Sequence, residues 1–199
     1  MKLLPIKRAI LSVTNKNNLE EFAKFLVDNN VEIISTGGTL KLLENSNIPV
    51  TAVEKVTGFP EILNGRVKTL HPNIHAGILA NKDDPTHLET LNKKLIKTFD
   101  LVCVNLYDFA SAIDKELSLE KAIEEIDIGG PCMLRAASKN FHSILVIPGP
   151  EWYKEAINEM KSNNMKVTLS FRQKMAATTF QITSHYDNLI ANYLTKNVK

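Results

Sequence analysis

Two short segments combine charged, hydroxyl and glycine residues in a pattern that suits an anionic substrate and proton transfer. They are G-R-V-K-T-L-H-P-N-I-H-A-G-I-L at residues 65–79 and I-D-I-G-G-P-C-M-L-R-A-A-S-K-N at residues 126–140. Both are flanked by apolar residues, and an unpaired charge is costly to bury. A core gains little from such a mixture, whereas a site that binds an anion and moves protons needs these groups.

A third segment, S-T-G-G-T at residues 35–39, is predicted to bind an anion. It opens a predicted helix, where glycine lets a ligand come close and free N–H groups face an anion. Three polar residues, Ser12, Thr14 and Lys16, lie at the end of the first predicted strand. They would lie beside residues 35–39, at the carboxyl edge of a parallel sheet, where such folds bind ligands. The alternative is a glycine turn with Thr39 as helix cap, but these neighbours favour phosphate. The segment matches neither a Walker loop nor G-x-G-x-x-G, which argues against a triphosphate or dinucleotide cofactor.

Ionisable residues elsewhere are candidates for proton transfer. Tyr107, Asp127 and Lys139 would provide a hydroxyl, an acid and a base if the fold brings them together, which spacing alone leaves open. A core tyrosine, a helix cap and a solvated basic helix face are the corresponding structural alternatives. Arg66 and Lys68 lie in a loop rich in glycine and proline, where they are either solvated cations or part of a shaped binding loop.

The histidines of the first segment do not predict a metal site. His71 and His75 have the i, i+4 spacing of a helical metal pair. Pro72 disfavours a helix there and no third ligand is evident, so no metal is predicted.

The composition argues against several classes of protein. Subtracting 22 acidic from 24 basic side chains leaves +2, and the lysines are scattered, so no nucleic-acid partner is predicted. No apolar run approaches the roughly 20 residues that span a bilayer. The first residues are too few for a signal peptide. Cys103 and Cys132 are predicted to be reduced thiols, and these points together predict a cytoplasmic protein.

The elements that position these residues alternate between strand-like and helix-like patterns, which predicts an α/β fold with a mostly parallel sheet flanked by helices. Predicted strands cover residues 9–13, 31–34, 49–53, 101–104 and 143–147. Predicted helices include residues 19–26, 39–43, 109–125, 151–163 and a further one opened by residues 129–131. Residues 57–75 are expected to be largely irregular.

The C-terminal part is predicted to be one long helix, from about Leu169 to Leu194 and roughly 39 Å long. We therefore divide the chain into a domain at residues 1–165 and a C-terminal helix at residues 166–199. An apolar stripe runs along this helix, and we expect it to be exposed and to seek a partner, which predicts a homodimer. The stripe comprises Phe171, Met175, Phe180, Ile182, Tyr186, Leu189, Ile190 and Tyr193.

With N-L-Y at residues 105–107, these motifs resemble the inosine monophosphate cyclohydrolase family over nearly the whole chain. The resemblance implies the fold of methylglyoxal synthase, with a Rossmann-like sheet. It implies closure of formamidoimidazole carboxamide ribotide (FAICAR) to inosine monophosphate with loss of water, and no cofactor or metal. In the family a transformylase domain follows, for which 199 residues leave no room. The chain is therefore expected to cyclise FAICAR but not to make it.

The resemblance also implies residue roles, carried over by motif. Phosphate and ribose contacts fall on Ser12, Thr14, Lys16, Ser35, Thr36, Gly37, Gly38 and Thr39. Further substrate contacts fall on Arg66, Thr69, Asn105, Ile128 and Gly129. Lys68 is expected to stabilise charge, and Tyr107, Asp127 and Lys139 to transfer protons, with the base that removes the amide proton left open. Asp108 replaces the family's usual proline, a change that affects the loop rather than Tyr107.

Two alternatives remain open. A methylglyoxal synthase-like enzyme shares the fold and a phosphate ligand, but it needs a catalytic aspartate near residues 35–39 and leaves residues 126–140 without a purpose. A regulatory nucleotide-binding domain, like the allosteric domain of carbamoyl phosphate synthetase, does not call for paired acid and base groups.

Overall fold

The structure, a computed structural model, describes residues 3–115 and 117–196. In these residues a parallel five-stranded sheet has the order β4-β3-β2-β5-β6. Its strands are β2 (Arg8–Ser12), β3 (Glu32–Ser35), β4 (Thr51–Ala52), β5 (Leu101–Val104) and β6 (Leu145–Ile147). The short strands β1 (Leu4–Pro5) and β7 (Lys166–Val167) form a separate antiparallel pair. The predicted α/β fold with a mostly parallel sheet is confirmed.

Helices connect and cover the strands. The first five are α1 (Leu19–Asp28), α2 (Gly37–Asn45), α3 (Val53–Thr57), α4 (Pro72–Leu79) and α5 (Pro85–Lys93). The others are α6 (Phe109–Asp114), α7 (Leu119–Glu124), α8 (Gly129–Lys139), α9 (Tyr153–Ser162) and α10 (Leu169–Lys196). Short 3₁₀ turns occupy Leu63–Gly65 and Pro150–Trp152.

The sheet places a crevice between β2 and β5. All four residues of β5 are buried, as expected for a strand covered on both faces. The chain runs from β2 towards β4 on one side and from β5 to β6 on the other, so the strand order reverses between β2 and β5. Open α/β sheets bind ligands beyond the carboxyl ends of the strands at such a point.

The start of α2 differs from the prediction that Thr39 caps it. The helix begins at Gly37, whose φ of 56° favours glycine, and Thr36 is the N-cap residue. The Thr39 hydroxyl accepts a hydrogen bond of 2.8 Å from the Val13 N–H and donates one of 3.0 Å to the Val13 carbonyl. Thr39 therefore ties α2 to the end of β2.

Residues 57–75 contain more helix than predicted. Pro72 is the first residue of α4, where its missing N–H and restricted φ fit a helix start. His71 caps this helix, because its Nδ1 accepts a hydrogen bond of 3.1 Å from the Asn73 N–H. The expectation that Pro72 prevents a helix here was wrong, because proline is compatible with the first turn.

The predicted C-terminal helix is confirmed as α10, but its apolar stripe is not left exposed as a whole. Phe171 and Met175 belong to the main core, and Tyr186 lies in a second apolar cluster with Phe109 and Ala122. The expectation of an exposed stripe was wrong at these positions, because α6, α8 and β6 pack against the helix.

Some residues of the predicted domain and helices lie outside the part of the chain that the structure describes. These are residues 1–2 and 197–199, at the ends of the two predicted parts, and residue 116 within the predicted helix at 109–125, which is observed as α6 and α7. The division after residue 165 falls between α9 and β7 and stays a prediction. In the two described ranges, no helix combines the length and the apolarity needed to cross a membrane.

Candidate active site

A cavity of about 570 Å³ opens at the carboxyl edge of the sheet, where β2 and β5 end. Its volume lies within the range of small-molecule sites, roughly 300–1,000 Å³. The walls come from the loop after β2, the first turn of α2, the loop before α4, the end of β5 and the start of α8. They comprise Ser12–Thr14, Lys16, Thr36–Thr39, Asn64–Arg66, Lys68, Thr69, Val104, Asn105, Tyr107, Ile123, Glu124, Ile126–Gly130 and Met133.

The first turn of α2 forms a cationic end of this cavity. A Cβ atom placed on Gly37 would lie 3.4 Å from Lys68 Nζ, and one placed on Gly38 would lie 3.6 Å from Lys16 Nζ. Two ammonium groups therefore approach a helix N-terminus, where the N–H groups lack partners within the helix. Thr36 also lines the cavity, and its hydroxyl is buried without a hydrogen-bond partner in the described chain. Cations, free N–H groups and a spare hydroxyl are what a phosphate requires.

Ser35 does not line the cavity. It is fully buried, and its hydroxyl donates a hydrogen bond of 2.7 Å to the Leu11 carbonyl of the neighbouring strand. The substrate contact predicted for Ser35 is corrected to a structural role, because β3 ends one residue later than predicted and includes Ser35.

Asn105 lines the cavity but uses its side chain to shape it. Its Oδ1 accepts hydrogen bonds from the Thr14 N–H at 2.7 Å and the Asn15 N–H at 3.0 Å. Its Nδ2 donates one of 3.0 Å to the Asn15 carbonyl. Asn105 therefore holds the loop that carries Thr14 and Lys16. It contributes to binding indirectly, through this loop, and the sequence did not reveal that role.

Asp127 stands at the entrance to α8 and faces the cavity. Its Oδ1 accepts a hydrogen bond of 2.8 Å from the Gly130 N–H. Burial raises the pKa of Asp127 above its ordinary value, and the Gly130 bond and the Lys68 charge only partly offset this effect. Burial, followed by the charge of Asp127, also raises the pKa of Tyr107. The structure thus brings Lys68, Tyr107 and Asp127 into one electrostatic group.

The loop before α4 brings Arg66, Lys68 and Thr69 to the wall of the cavity. Arg66 pairs with Glu124 of α7 through two hydrogen bonds: its Nη2 donates to Oε1, and its Nε donates to Oε2 at 3.2 Å. Lys68 Nζ is 3.9 Å from Glu61 Oε2. Thr69 is buried against the start of α8.

Glycine is required where that loop meets α8. A Cβ atom on Gly129 would lie 2.8 Å from Thr69 Oγ1, closer than real Cβ contacts. Gly129 is the first residue of α8, and Pro131 is the third, where a missing N–H costs no helical hydrogen bond. Ile128, 57% exposed, lines the cavity beside it.

Lys139 does not reach this cavity within one chain. It is the last residue of α8 and exposed, whereas Gly129 at the other end lines the cavity. Ten residue steps separate them, about 15 Å along the helix axis. The predicted meeting of Lys139 with Tyr107 and Asp127 is therefore corrected: the group that the structure assembles consists of Tyr107, Asp127 and Lys68.

Two neighbouring residues were missed or left open by sequence reasoning. Tyr186 of α10 accepts a hydrogen bond of 2.8 Å from the Asp127 N–H, across 59 positions that give no spacing signal. Asp108, expected to alter its loop, caps α6 by accepting a hydrogen bond of 3.1 Å from the Ser111 N–H. The Ser111 bonds also lower the pKa of Asp108. The capping carboxylate, with Ser111 three residues later, was a usable sequence signal.

Two parts of the chain match different protein-family models. Residues 18–132 match the model of the MGS-like domain, and residues 137–199 match that of the AICARFT/IMPCHase bienzyme. The bifunctional purine biosynthesis protein PurH of Lactobacillus acidophilus is 53% identical over 97% of this chain and 38% of its own length. That of Oenococcus oeni is 50% identical over 96% and 37%, respectively. The chain thus spans less than two fifths of the length of these curated relatives.

A solved structure gives the same result for the fold. The crystal structure of ForH superposes with a TM-score of 0.80 at 30% identity, covering 94% of this chain and 97% of that chain. The predicted methylglyoxal synthase-like fold is confirmed, since the MGS-like model alone covers more than half of the chain. This chain therefore belongs to the family of MGS-like domains, and its C-terminal part is similar to the AICARFT/IMPCHase bienzyme.

Proposed function

We propose that this chain is an IMP cyclohydrolase, which closes FAICAR to inosine monophosphate and releases water. The observation that carries the proposal is the position of Lys68, whose ammonium lies against the first turn of α2 and also partly offsets the rise in the pKa of Asp127 that burial causes. One cavity thus combines a phosphate-binding end with an acid–base group. The relatives' description as bifunctional purine biosynthesis proteins supports the same reaction.

The reaction explains why such groups are needed. A carboxamide nitrogen is a poor nucleophile, because its lone pair is delocalised into the carbonyl. It must form a bond to the formyl carbon and lose a proton while the formyl oxygen gains one. The resulting hydroxyl then takes up a second proton and leaves as water, while the nitrogen of the former formamide gives up its own proton and forms the carbon–nitrogen double bond of the pyrimidinone ring. These proton transfers and the developing oxyanion therefore require catalysis.

Asp127 is the residue that we assign as the base for the amide proton. Burial raises its pKa, so its carboxylate is a stronger base than an exposed one. Tyr107 keeps its proton, because its pKa is raised above that of an ordinary phenol, and it donates to the formyl oxygen. Lys68 stabilises the oxyanion, a role for which a lost donor typically costs about 2.7–4 kcal/mol.

Lys16, Thr36 and the first turn of α2 are proposed to hold the 5′-phosphate. This anchor fixes the carboxamide and formyl groups of one molecule against Asp127 and Tyr107, and positioning supplies part of the rate enhancement. Inosine monophosphate is expected to compete for the site, whereas inosine, which lacks the phosphate, is expected to bind at least tenfold more weakly, as a lost charged contact of about 1.4 kcal/mol implies.

The structure bears differently on the two alternatives. Residues 126–130 and Met133 line the cavity, so a substrate that reaches them suits the site better than a triose phosphate alone. Lys139 no longer argues against a regulatory nucleotide-binding domain, and that argument now rests on Tyr107 and Asp127.

One experiment separates the three functions. The purified chain is incubated with FAICAR, with a triose phosphate and with inosine monophosphate alone. Formation of inosine monophosphate from FAICAR, followed by absorbance, supports the proposal. Methylglyoxal formation would favour the synthase, and tight nucleotide binding without turnover would favour a regulatory domain. We expect turnover without added metal, folate or nucleotide, and activity that is lost on chelation and restored by one metal would contradict this.

A homodimer and a cytoplasmic location are also proposed. Two apolar side chains on α10, Phe180 and Leu194, are each 39% exposed. A second copy of the chain would cover them. Cys103 and Cys132 are free thiols, which suits a reducing compartment. Sedimentation at micromolar concentration is expected to show a dimer, and a clean monomer would contradict it.

A further inference from the structure

Tyr186, far along α10, reaches the candidate active site through its hydroxyl. The side chain is 6% exposed and packs with Phe109, Ala112 and Ala122 in the second apolar cluster. Its oxygen accepts the 2.8 Å hydrogen bond from the Asp127 N–H. The long C-terminal helix therefore touches the backbone of the residue that we propose as the base.

Asp127 is held from two directions. The Tyr186 bond restrains the peptide that precedes its side chain, and the bond from the Gly130 N–H to Oδ1 sets the direction of the carboxylate. Within residues 3–115 and 117–196, the other oxygen, Oδ2, has no hydrogen-bond partner. This arrangement leaves one carboxylate oxygen free to accept a proton from a bound molecule.

The Tyr186 contact joins the two regions that the family models recognise separately. Asp127 lies in the part that matches the MGS-like domain, and Tyr186 lies in the part that matches the AICARFT/IMPCHase bienzyme. The core of the fold thus supplies the carboxylate, and the added helix supplies a partner for its backbone.

We infer that Tyr186 is a positioning residue for the proposed cyclisation: its hydroxyl holds the Asp127 peptide so that the carboxylate faces the substrate. The inference rests on the proposed function for its effect on turnover, but the contact itself is independent of any activity. Tyr186 remains a neutral phenol, because burial raises its pKa and the hydrogen bond from the Asp127 N–H offsets this only in part.

Tyr186→Phe tests the inference, because it removes only the hydroxyl. We expect kcat with FAICAR to fall about tenfold, since small misplacements of reacting groups are costly. The Michaelis constant and the affinity for inosine monophosphate should stay within about twofold of wild type, because the phosphate end is untouched. Turnover is referred to the concentration of sites that bind inosine monophosphate, so that loss of folded protein cannot imitate the effect.

Tyr193→Phe is the matched control. It removes a hydroxyl from the same helix and the same apolar cluster, where the ring packs edge-on against Phe109 at 5.4 Å between centroids. We expect its kcat to equal that of wild type. Equal losses in both variants, or wild-type turnover in Tyr186→Phe, would overturn the inference.

A second measurement separates this inference from the proposed function. Hydrogen exchange of the Asp127 amide should be at least about tenfold faster in Tyr186→Phe and unchanged in Tyr193→Phe, because the hydroxyl is its acceptor. If the wild-type chain does not cyclise FAICAR, the proposed function fails, and the exchange rates still show whether Tyr186 holds Asp127. Unchanged exchange in Tyr186→Phe would overturn the positioning role.

Discussion

The two edges of the same sheet both carry charged side chains, but they use them differently. At the amino edge, Arg8 Nε donates to Glu32 Oε2 at 2.9 Å, and Lys82 pairs with Asp100. The buried guanidinium of Arg172 donates to backbone carbonyls at the same edge, those of Phe141, His142 and Val167, at 2.7 to 3.1 Å. These charges are matched within the protein and stabilise the fold.

At the carboxyl edge, two lysines, Lys16 and Lys68, have weak partners. Lys16 Nζ is 3.3 Å from a backbone carbonyl of Thr14, and Lys68 Nζ is 3.9 Å from Glu61. The Thr36 hydroxyl is buried without a partner in the described part of the chain. Since buried polar groups are normally satisfied, and all three of these residues line the cavity, their remaining capacity is available to a ligand there.

The largest effect that sharpens this contrast is expected for Asp127→Asn. Turnover should fall about 10²–10³-fold, because the amide cannot act as a general base. Steady-state kinetics with FAICAR measure it. A variant with more than a tenth of wild-type kcat would break the assignment of Asp127 as the base.

The same variant should not lose stability at neutral pH. Burial raises the pKa of Asp127 in the folded state, so the folded chain binds this proton more tightly than the unfolded chain does. Stability is therefore lost as the pH rises from the unfolded value, near 3.9, through the folded value. Asn cannot ionise, so the difference in Tm, variant minus wild type, should be more positive at pH 7 than at pH 4. Thermal melts at both values check this sign.

At the amino edge, Lys82→Met is expected to lower stability and leave turnover unchanged. Asp100 would be left nearly buried without its cation, which should lower the free energy of unfolding by about 3 kcal/mol. Turnover per folded molecule should be unchanged. Urea unfolding measures the loss, with Lys93→Met as control, because the Lys93–Glu89 pair is exposed and such pairs contribute at most about 1 kcal/mol. Equal losses in the two variants would contradict a special role for this edge.

Asn105→Ala tests a carboxyl-edge residue that acts through the backbone. Without its three hydrogen bonds the Thr14–Asn15 loop loosens, and the Michaelis constant should rise about tenfold with a smaller change in kcat. Asn29→Ala is the control, because within the described ranges the Asn29 side chain donates one hydrogen bond, to the Phe25 carbonyl of α1. An unchanged Michaelis constant in Asn105→Ala would show that the loop needs no such support.

The smallest effect is expected for Glu124→Gln. This change frees Arg66 from an exposed ion pair, whose side chains are 66% and 56% exposed, so that the guanidinium is available to an anionic substrate. The Michaelis constant should fall about two- to threefold, in keeping with the small energy of exposed pairs. Glu120→Gln, on the same helix, controls for net charge. A rise in the Michaelis constant would mean that Glu124 itself helps to bind substrate.

Much of this contrast could be predicted from sequence, but not all of it. Apolar runs and polar residues at strand ends located β2, β5 and the cavity at their carboxyl ends, because strand topology converts these local patterns into position. The prediction that Lys139 meets Asp127 was wrong, because the sequence separation of two residues does not show that a helix places them at opposite ends. The predicted substrate contact of Ser35 was wrong, because β3 ends one residue later than predicted and the Ser35 hydroxyl is therefore in the core.

Tyr186 shows a different limit of sequence reasoning. Its place in the apolar stripe was evident, but the partner of its hydroxyl lies in a distant segment and depends on how α10 packs on α6 and α8. Periodicity predicts which side of a helix is buried, and tertiary packing decides what the polar end of a buried side chain meets.

The central claim is that the unmatched charges at the carboxyl edge carry out the cyclisation. It is tested most directly by the initial rate of inosine monophosphate formation from FAICAR in wild type, Lys68→Ala and Lys41→Ala, where Lys41 is an exposed lysine on α2. The account predicts turnover in wild type, the same rate in Lys41→Ala, and a loss of about 10²–10³-fold in Lys68→Ala. Absence of turnover in wild type, or a wild-type rate in Lys68→Ala, would contradict it.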